Sequence, residues 1–503
     1  MGEVADGRGD ARRDPAESDE RWAFVRSGRR PYAGGMSLPT GRRDRGPSSP
    51  DGRGSQGRAP APGPGGAADG TGPAATGFPR VLALIVLAGG AVRVLYDLVV
   101  VRSEPRGLDA IAYKLMASSL WNGTGYVRAH TLFTGERRPT ASFAPGYVAY
   151  QALWGGIVGW GETANRMAGL LPGLLTVVLT AAIATRLLGR RAGWLAAGVV
   201  ALDPTLIAVD GSAMAESISV PLVTAALWLT VRMLDEGPSW PSAIGLGAVC
   251  GAAVLTRPDL VLLVPLLAVP VALLGDAPGR PRRILLMAVV VATAVATVVP
   301  WSLRNQQVLG TYAIATLSPT SAVAGSNCDQ SYGGRGIGAY DFACVEARRL
   351  EGAGEAAQAA HYQDESADYA RSHLDRVPLV LVARELRVWG VWDPRDQIDR
   401  EIGESRSRPW QRMAWPVRLA TVVVGGAGLA LLVRERWRRA IVLLAPVAVA
   451  TASAALSYGN PRFASIAQPV LAVGLAFLAD RWWRRRAAAG PVCGEDVPVV
   501  STA

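Results

Sequence analysis

The 503-residue sequence has a single lysine, Lys114, among its 52 basic residues. Its net charge of +11 therefore rests on arginine. Those arginines gather at the ends of apolar runs, where anionic headgroups account for them and a nucleic-acid partner does not. The three histidines, His130, His361 and His373, show no metal-ligand spacing, so no zinc-type centre is expected; carboxylates alone leave a divalent metal open. There is no Walker loop and no GxGxxG at a strand-to-helix turn, which removes the usual routes to nucleotide binding. No short apolar stretch with a small-residue cleavage site follows Met1, so a cleaved signal peptide is not expected. Large apolar residues are scarce over 1–78, where Gly, Pro, Arg, Asp and Ser dominate. Such a segment cannot bury enough surface to offset chain entropy, and it reads as a disordered cytoplasmic tail.

Beyond it the chain is crowded with apolar runs, and half of all residues are hydrophobic. A helix crosses a bilayer with about 20 apolar residues at 1.5 Å each. By that measure the sequence predicts an all-α polytopic membrane protein of about ten spans: 81–101, 164–187, 192–209, 214–234, 240–256, 258–275, 283–302, 414–433, 439–457 and 463–481. Pro258 disfavours helix at Arg257, so 240–275 reads as a hairpin. Ten spans with an inside N-terminus place "RLLGRR" (186–191), "GRPRR" (279–283), "RERWRR" (434–439) and "RWWRRR" (481–486) on the cytoplasmic side, as the positive-inside tendency requires. The tail 487–503 then lies inside as well.

The same parity puts two long segments outside. The first, 102–163, belongs to an N-terminal module covering 79–302. The second, 303–413, precedes the C-terminal spans of 414–486. Within it "VPLVLVARELRVWGVW" mixes apolar residues with Arg384, Glu385 and Arg387 and reads as an interfacial helix; "LDAIAYKLMASSLW" in the first loop is a second amphipathic candidate. Cys328 and Cys344 share the outer loop, where an oxidising compartment favours a disulfide, against two free thiols. Cys250 falls in a span and Cys493 in the inside tail.

Ionisable residues at a membrane edge need a reason. On the first span Arg93 and Asp97 stand four apart, as an ion pair or as an arginine leaning to a headgroup. Asp109 opens the first outer loop's helix, as an N-cap or as a chemical base. Asp203, Asp210 and Glu216 lie at the same level; Asp203 before Pro204 also suits a helix end, and Glu216 a helix start. Arg257 in "TRPD", Arg304 in "PWSLRN" and Arg462 in "SYGNPRF" suit either snorkelling anchors or phosphate ligands.

The order of these pieces carries a resemblance. "LDAIAYKLMASSLWNGTGY", "RPTASFAPGYVAYQAL", "AMAESISVPLV", "AAVLTRPDLVLLV", "VVPWSLRNQQVLG" and "SYGNPRFASIAQPVLAV" follow one another as in the GT-C superfamily of integral-membrane glycosyltransferases. The nearest branch is that of protein O-mannosyltransferases and the lipid A aminoarabinose transferase. The resemblance covers about 80–481. It implies transfer of a sugar from a polyprenyl-phosphate donor to a hydroxyl of a protein, glycan or lipid acceptor, in the plasma membrane, on its extracytoplasmic side. It implies Asp109 as the acid that activates the acceptor, with Glu216 or Asp210 as alternative acids. Many relatives have two adjacent acids here, and this chain has Leu108 beside Asp109. Arg257, Arg304 and Arg462 are implied as ligands of the donor phosphate, with Tyr113 and Lys114 near the pocket. A single base opposite the leaving group inverts the anomeric centre. The rival class is a transporter, which would usually show paired repeats and charges at mid-membrane; neither is evident.

Overall fold

The computed structural model describes residues 73–129, 135, 137–275 and 279–488. Most of the expected disordered tail, together with His130 and Cys493, lies outside them. Among the described residues there is no strand; one isolated antiparallel bridge joins Val127 to Pro139.

Among the described residues seven helices are long and apolar enough to cross a membrane: Phe78–Val100, Glu162–Leu188, Glu216–Glu236, Arg280–Leu309, Arg408–Glu435, Trp437–Leu456 and Phe463–Ala487. An eighth is the bent pair Arg190–Leu202 and Pro204–Asp210, turned by 57° where Asp203 meets Pro204. The bend is capped: the Asp203 carboxylate accepts from the backbone N–H of Thr205 at 2.7 Å and Leu206 at 3.2 Å. Asp203 is therefore a helix start, the plainer of its two readings.

The expected fifth and sixth spans are the short helices Trp240–Val254 and Pro258–Leu274. They differ from the others in length because the chain reverses at Leu255–Arg257, and Gly275 returns beside Pro238. By length alone, seven or eight of the ten expected spans qualify among the described residues, and these two are present as shorter apolar helices. The helix expected to end at 302 runs on to Leu309, about 45 Å in all for its 30 residues.

Small residues let these helices close on one another. A Cβ on Gly251 would meet Thr297 at 2.6 Å, and one on Gly425 would meet the Leu471 carbonyl at 2.6 Å. Without a hydrophobic drive between helices in lipid, this contact distance is what dispersion and packing need. The lipid-facing side shows the complement, with Leu84, Leu87 and Val99 exposed.

One expectation changes on the loop-bearing end of the bundle. Arg93 does not pair with Asp97; its Nε donates to Asp210 at 2.7 Å, and Nη1 donates to the Ala201 carbonyl at 2.8 Å. The π-helical turn Tyr96–Val100 takes Asp97 off the i+4 face. The helix Val377–Val388, expected to lie in the interface, exposes Leu379 and Val382 and buries Arg384 and Arg387. The reason lies in the loop it covers: Arg384 donates to Ser326 O at 2.6 Å and Arg387 to Ile337 O at 2.7 Å, satisfying carbonyls that no helix serves. Cys328 and Cys344 form a disulfide in that same loop.

Candidate active site

The helix Leu108–Trp121 begins where Gly107 presses against the carbonyl of Gly403 and donates its N–H to Ser405 Oγ at 2.8 Å. Gly107 is the N-cap, so Asp109 is a first-turn residue whose side chain caps nothing. Its carboxylate instead points to Arg462, with Nη1 at 3.7 Å, and its side chain remains 47% exposed.

Arg462 is the centre of the arrangement. Its Nε lies 3.6 Å from Glu216 and 3.8 Å from Glu404, and its Nη2 donates to the Tyr458 hydroxyl at 2.9 Å. All three carboxylate contacts are longer than a hydrogen bond, and Nε donates to nothing. Beside it Arg257 lies 3.3 Å from Glu216 and binds Asp259 through Nη2 at 2.7 Å; Ser453 donates to Asp259 at 2.7 Å. Both guanidinium groups sit over the Phe463 ring, at 5.0 and 5.6 Å. Asn460 donates to Glu404 at 2.6 Å, and Arg406 approaches Glu404 from behind at 3.8 Å.

Three guanidiniums, those of Arg462, Arg257 and Arg406, thus face four carboxylates, Asp109, Glu216, Glu404 and Asp259. Burial and these charges together set the protonation chemistry. Partial desolvation by the protein packed around it, offset by Arg462 and reinforced by Glu216, pushes the half-exposed Asp109 carboxyl above its usual range. Burial does the same to Glu404, against the pull of Arg462 and Arg406. Burial disfavours the Arg462 charge, but Tyr458, Glu404, Glu216 and Asp109 outweigh it and hold the arginine firmly protonated. A carboxylate with a raised pKa is a better proton acceptor, and it stands next to a fixed positive charge with unused donors.

The structure sorts the residues expected from sequence. Asp109, Glu216, Arg257 and Arg462 converge. Tyr113 lies beneath them, packed on Phe143 at 4.6 Å and Tyr147 at 4.8 Å. Asp210 does not join: Arg93 holds it, both buried. Lys114 does not either. Its charged neighbour is Arg106, which together with partial burial lowers its pKa; five residues along the helix it faces away from Asp109. Arg304 is apart as well. It donates to the carbonyls of Thr140 at 2.7 Å and Tyr126 at 3.1 Å and stacks on Trp301, so it ties the first loop to the end of a span. Sequence reasoning missed Glu404, Asn460 and Tyr458. The signal for two of them was present: "SYGNPRF" brackets Arg462 with Tyr458 and Asn460, whereas Glu404 sits in a polar stretch with no pattern to mark it. Among the described residues no group of three or more His, Cys, Asp or Glu is placed to hold a metal ion.

Residues 142–303 match the family described as dolichyl-phosphate-mannose-protein mannosyltransferase. No curated protein matches the chain. Among solved structures, the Archaeoglobus fulgidus oligosaccharyltransferase tethered with an acceptor peptide is similar at a TM-score of 0.52 and 14% identity, over 82% of this chain and 50% of that one. The same enzyme in complex with Zn and sulfate gives a TM-score of 0.50 at 16% identity, over 81% and 50% of the two chains. ArnT from Cupriavidus metallidurans bound to undecaprenyl phosphate is similar at a TM-score of 0.38 and 16% identity, over 83% and 79%. The chain thus spans about half the length of the archaeal enzyme it matches. Helical architecture and the archaeal likeness together make this a membrane protein with the fold of the archaeal oligosaccharyltransferase.

Proposed function

We propose that the chain moves a hexosyl or pentosyl unit from a polyprenyl-phosphate donor to an acceptor hydroxyl at the extracytoplasmic face of the plasma membrane. The observation that carries this reading is the Arg462 hub, in which an exposed carboxylate with a raised pKa and an under-used guanidinium meet at the loop-bearing end of an apolar helical bundle. A lipid-linked donor reaches such a place laterally, with its phosphate at headgroup level. Arg462 and Arg257 would receive that phosphate. The phosphodiester carries one negative charge, and the unused N–H groups of Arg462 suit its oxygens. Asp109 would take the proton of the acceptor hydroxyl as its oxygen attacks the anomeric carbon. The bond from that carbon to the phosphate oxygen breaks on the opposite face, the lipid phosphate leaves on the arginines, and the product is inverted. Glu216 and Glu404 hold Arg462 from the other sides and tune Asp109. The match of 142–303 to a mannosyltransferase family supports the donor class. The acceptor, whether protein, glycan or lipid, is left to experiment.

The test is transfer by the purified full chain, in lipid nanodiscs, from a panel of polyprenyl-phosphate hexoses and pentoses to envelope fragments prepared from cells that lack the protein. Transfer of one of them supports the reading. Absence of transfer from every donor, together with uptake of a solute into proteoliposomes, would replace it with the transporter.

A further inference from the structure

We propose that the disulfide-closed segment 328–344 is a wall of the same site, and that Tyr340, which it carries, contacts the sugar rather than the phosphate of the donor. The proposal rests on the transferase reading above.

The segment is anchored on the Arg462 motif. Gly459 donates its N–H to the Gly338 carbonyl at 2.8 Å, so the backbone of the disulfide loop is joined to "SYGNPRF" itself. Arg387 and Arg400 hold the same segment from the other side, donating to Ile337 O at 2.7 Å and Tyr340 O at 2.9 Å. At its closed end the Cys328 and Cys344 Cα atoms are 6.3 Å apart, and Asp341 N–H donates to Gly325 O at 2.8 Å. Gly325 has to be small, because a Cβ there would enter the Tyr340 ring. The loop is therefore built to hold one side chain in one place.

That side chain faces the hub. The Tyr340 ring packs on Tyr458 with centroids 5.2 Å apart, and Tyr458 accepts from Arg462, which also lies 3.7 Å from Asp109. Tyr340 is half-buried, and among the described residues its hydroxyl makes no hydrogen bond to protein. Burial, then the Tyr458 hydroxyl and the Asp109 charge, push its phenol above the usual range, which places it within the field of the site. Both guanidiniums sit over Phe463, whose ring packs on Tyr458 with centroids 5.0 Å apart. A donor whose phosphate rests there and whose anomeric carbon is in reach of Asp109 has its sugar ring left against Tyr340. An aromatic face suits the C–H face of a pyranose or furanose, and a free phenol suits its hydroxyls.

The experiment compares wild type, Tyr340→Ala, Tyr340→Phe and the double variant Cys328→Ser/Cys344→Ser as full chains in nanodiscs. Each is assayed for transfer from the donor panel and for inhibition by sugar-free polyprenyl phosphate. Tyr340→Ala should lower kcat/KM about tenfold. Inhibition by the sugar-free lipid should be unchanged, Tyr340→Phe should retain most of the rate, and the serine variant should behave as Tyr340→Ala. If wild type transfers no sugar, the transferase reading fails and this proposal with it. If wild type transfers and Tyr340→Ala matches it, only the proposal is overturned. It is equally overturned if Tyr340→Ala weakens inhibition by the sugar-free lipid as much as it lowers kcat/KM, since a contact to phosphate or a general loosening does that and a sugar contact does not.

Discussion

Asp109→Asn separates chemistry from architecture at this site. The substitution keeps the size and hydrogen-bonding reach of the side chain and removes its ability to take a proton. Its structural cost is bounded by what Asp109 does in the fold. It caps no helix, and its partner Arg462 lies 3.7 Å away across a side chain that is 47% exposed. An exposed ion pair of that kind contributes about 0–1 kcal/mol, and a charge in a helix first turn about 0.3–1 kcal/mol. Loss of a general base costs roughly 10²–10⁴ in rate, or about 3–5 kcal/mol in barrier. The variant should therefore accumulate and melt near wild type while transfer falls at least a hundredfold. The pH profile supplies an independent check. Partial desolvation raises the Asp109 pKa, so the base is lost as pH falls through a value above the ordinary carboxylate range near 3.9. Wild-type transfer should be present above that value and decline below it, and residual transfer in the variant should lack this acidic limb. Near-wild-type transfer by Asp109→Asn would refute the assignment and move the search to Glu216 and Glu404.

Arg462→Ala should weaken inhibition by sugar-free polyprenyl phosphate by roughly ten- to hundredfold, the worth of a charge-assisted contact of about 1.5–3 kcal/mol; inhibition constants unchanged from wild type would reduce Arg462 to an organiser of acids. Arg304→Ala should leave that inhibition unchanged and instead loosen the first outer loop, read as faster proteolysis between 121 and 145. Asp210→Asn should destabilise the protein by about 3–5 kcal/mol because Arg93 is left charged and buried, whereas a double Arg93→Met/Asp210→Leu variant should recover most of the loss; equal stability of Asp210→Asn and wild type would mean the pair is not formed. Impermeant thiol reagents on intact cells should reach Cys328 and Cys344 only after reduction, and labelling without reductant would contradict the bond.

The apolar spans were legible because the bilayer imposes one length and one composition, and even the break at Asp203–Pro204 is announced by a capping acid before a proline. The site was legible where its residues lie at span ends: Asp109, Glu216, Arg257 and Arg462 each stand out against apolar neighbours. Partner choice was not legible. Arg93 has Asp97 at the ideal helical spacing and binds Asp210 instead, because a π turn, invisible in the sequence, moves the nearer acid away. Arg384 and Arg387 stand in a segment that reads as an interfacial helix, and they are buried because irregular backbone nearby needs donors. Arg304 lies in a motif that suggests phosphate and spends its N–H groups on loop carbonyls. In each case the deciding fact is where distant backbone comes to rest.

Arg462 enters the membrane just ahead of the last span, Phe463–Ala487, yet the carboxylate it orients is made with the first outer loop. During synthesis Asp109 therefore stands beside the membrane for most of the chain's insertion without Arg462, and the proposed phosphate site, with Arg257 alone, is incomplete. Under the proposed mechanism an unfinished or truncated chain is inert. It can neither capture a lipid-linked sugar nor waste it on water, and competence arrives in a single step when the final helix seats. A chain ending before Arg462 should be a safe passenger in the membrane, and co-expressing the missing helix should restore function in trans only if it docks with Tyr458 and Asn460 still attached.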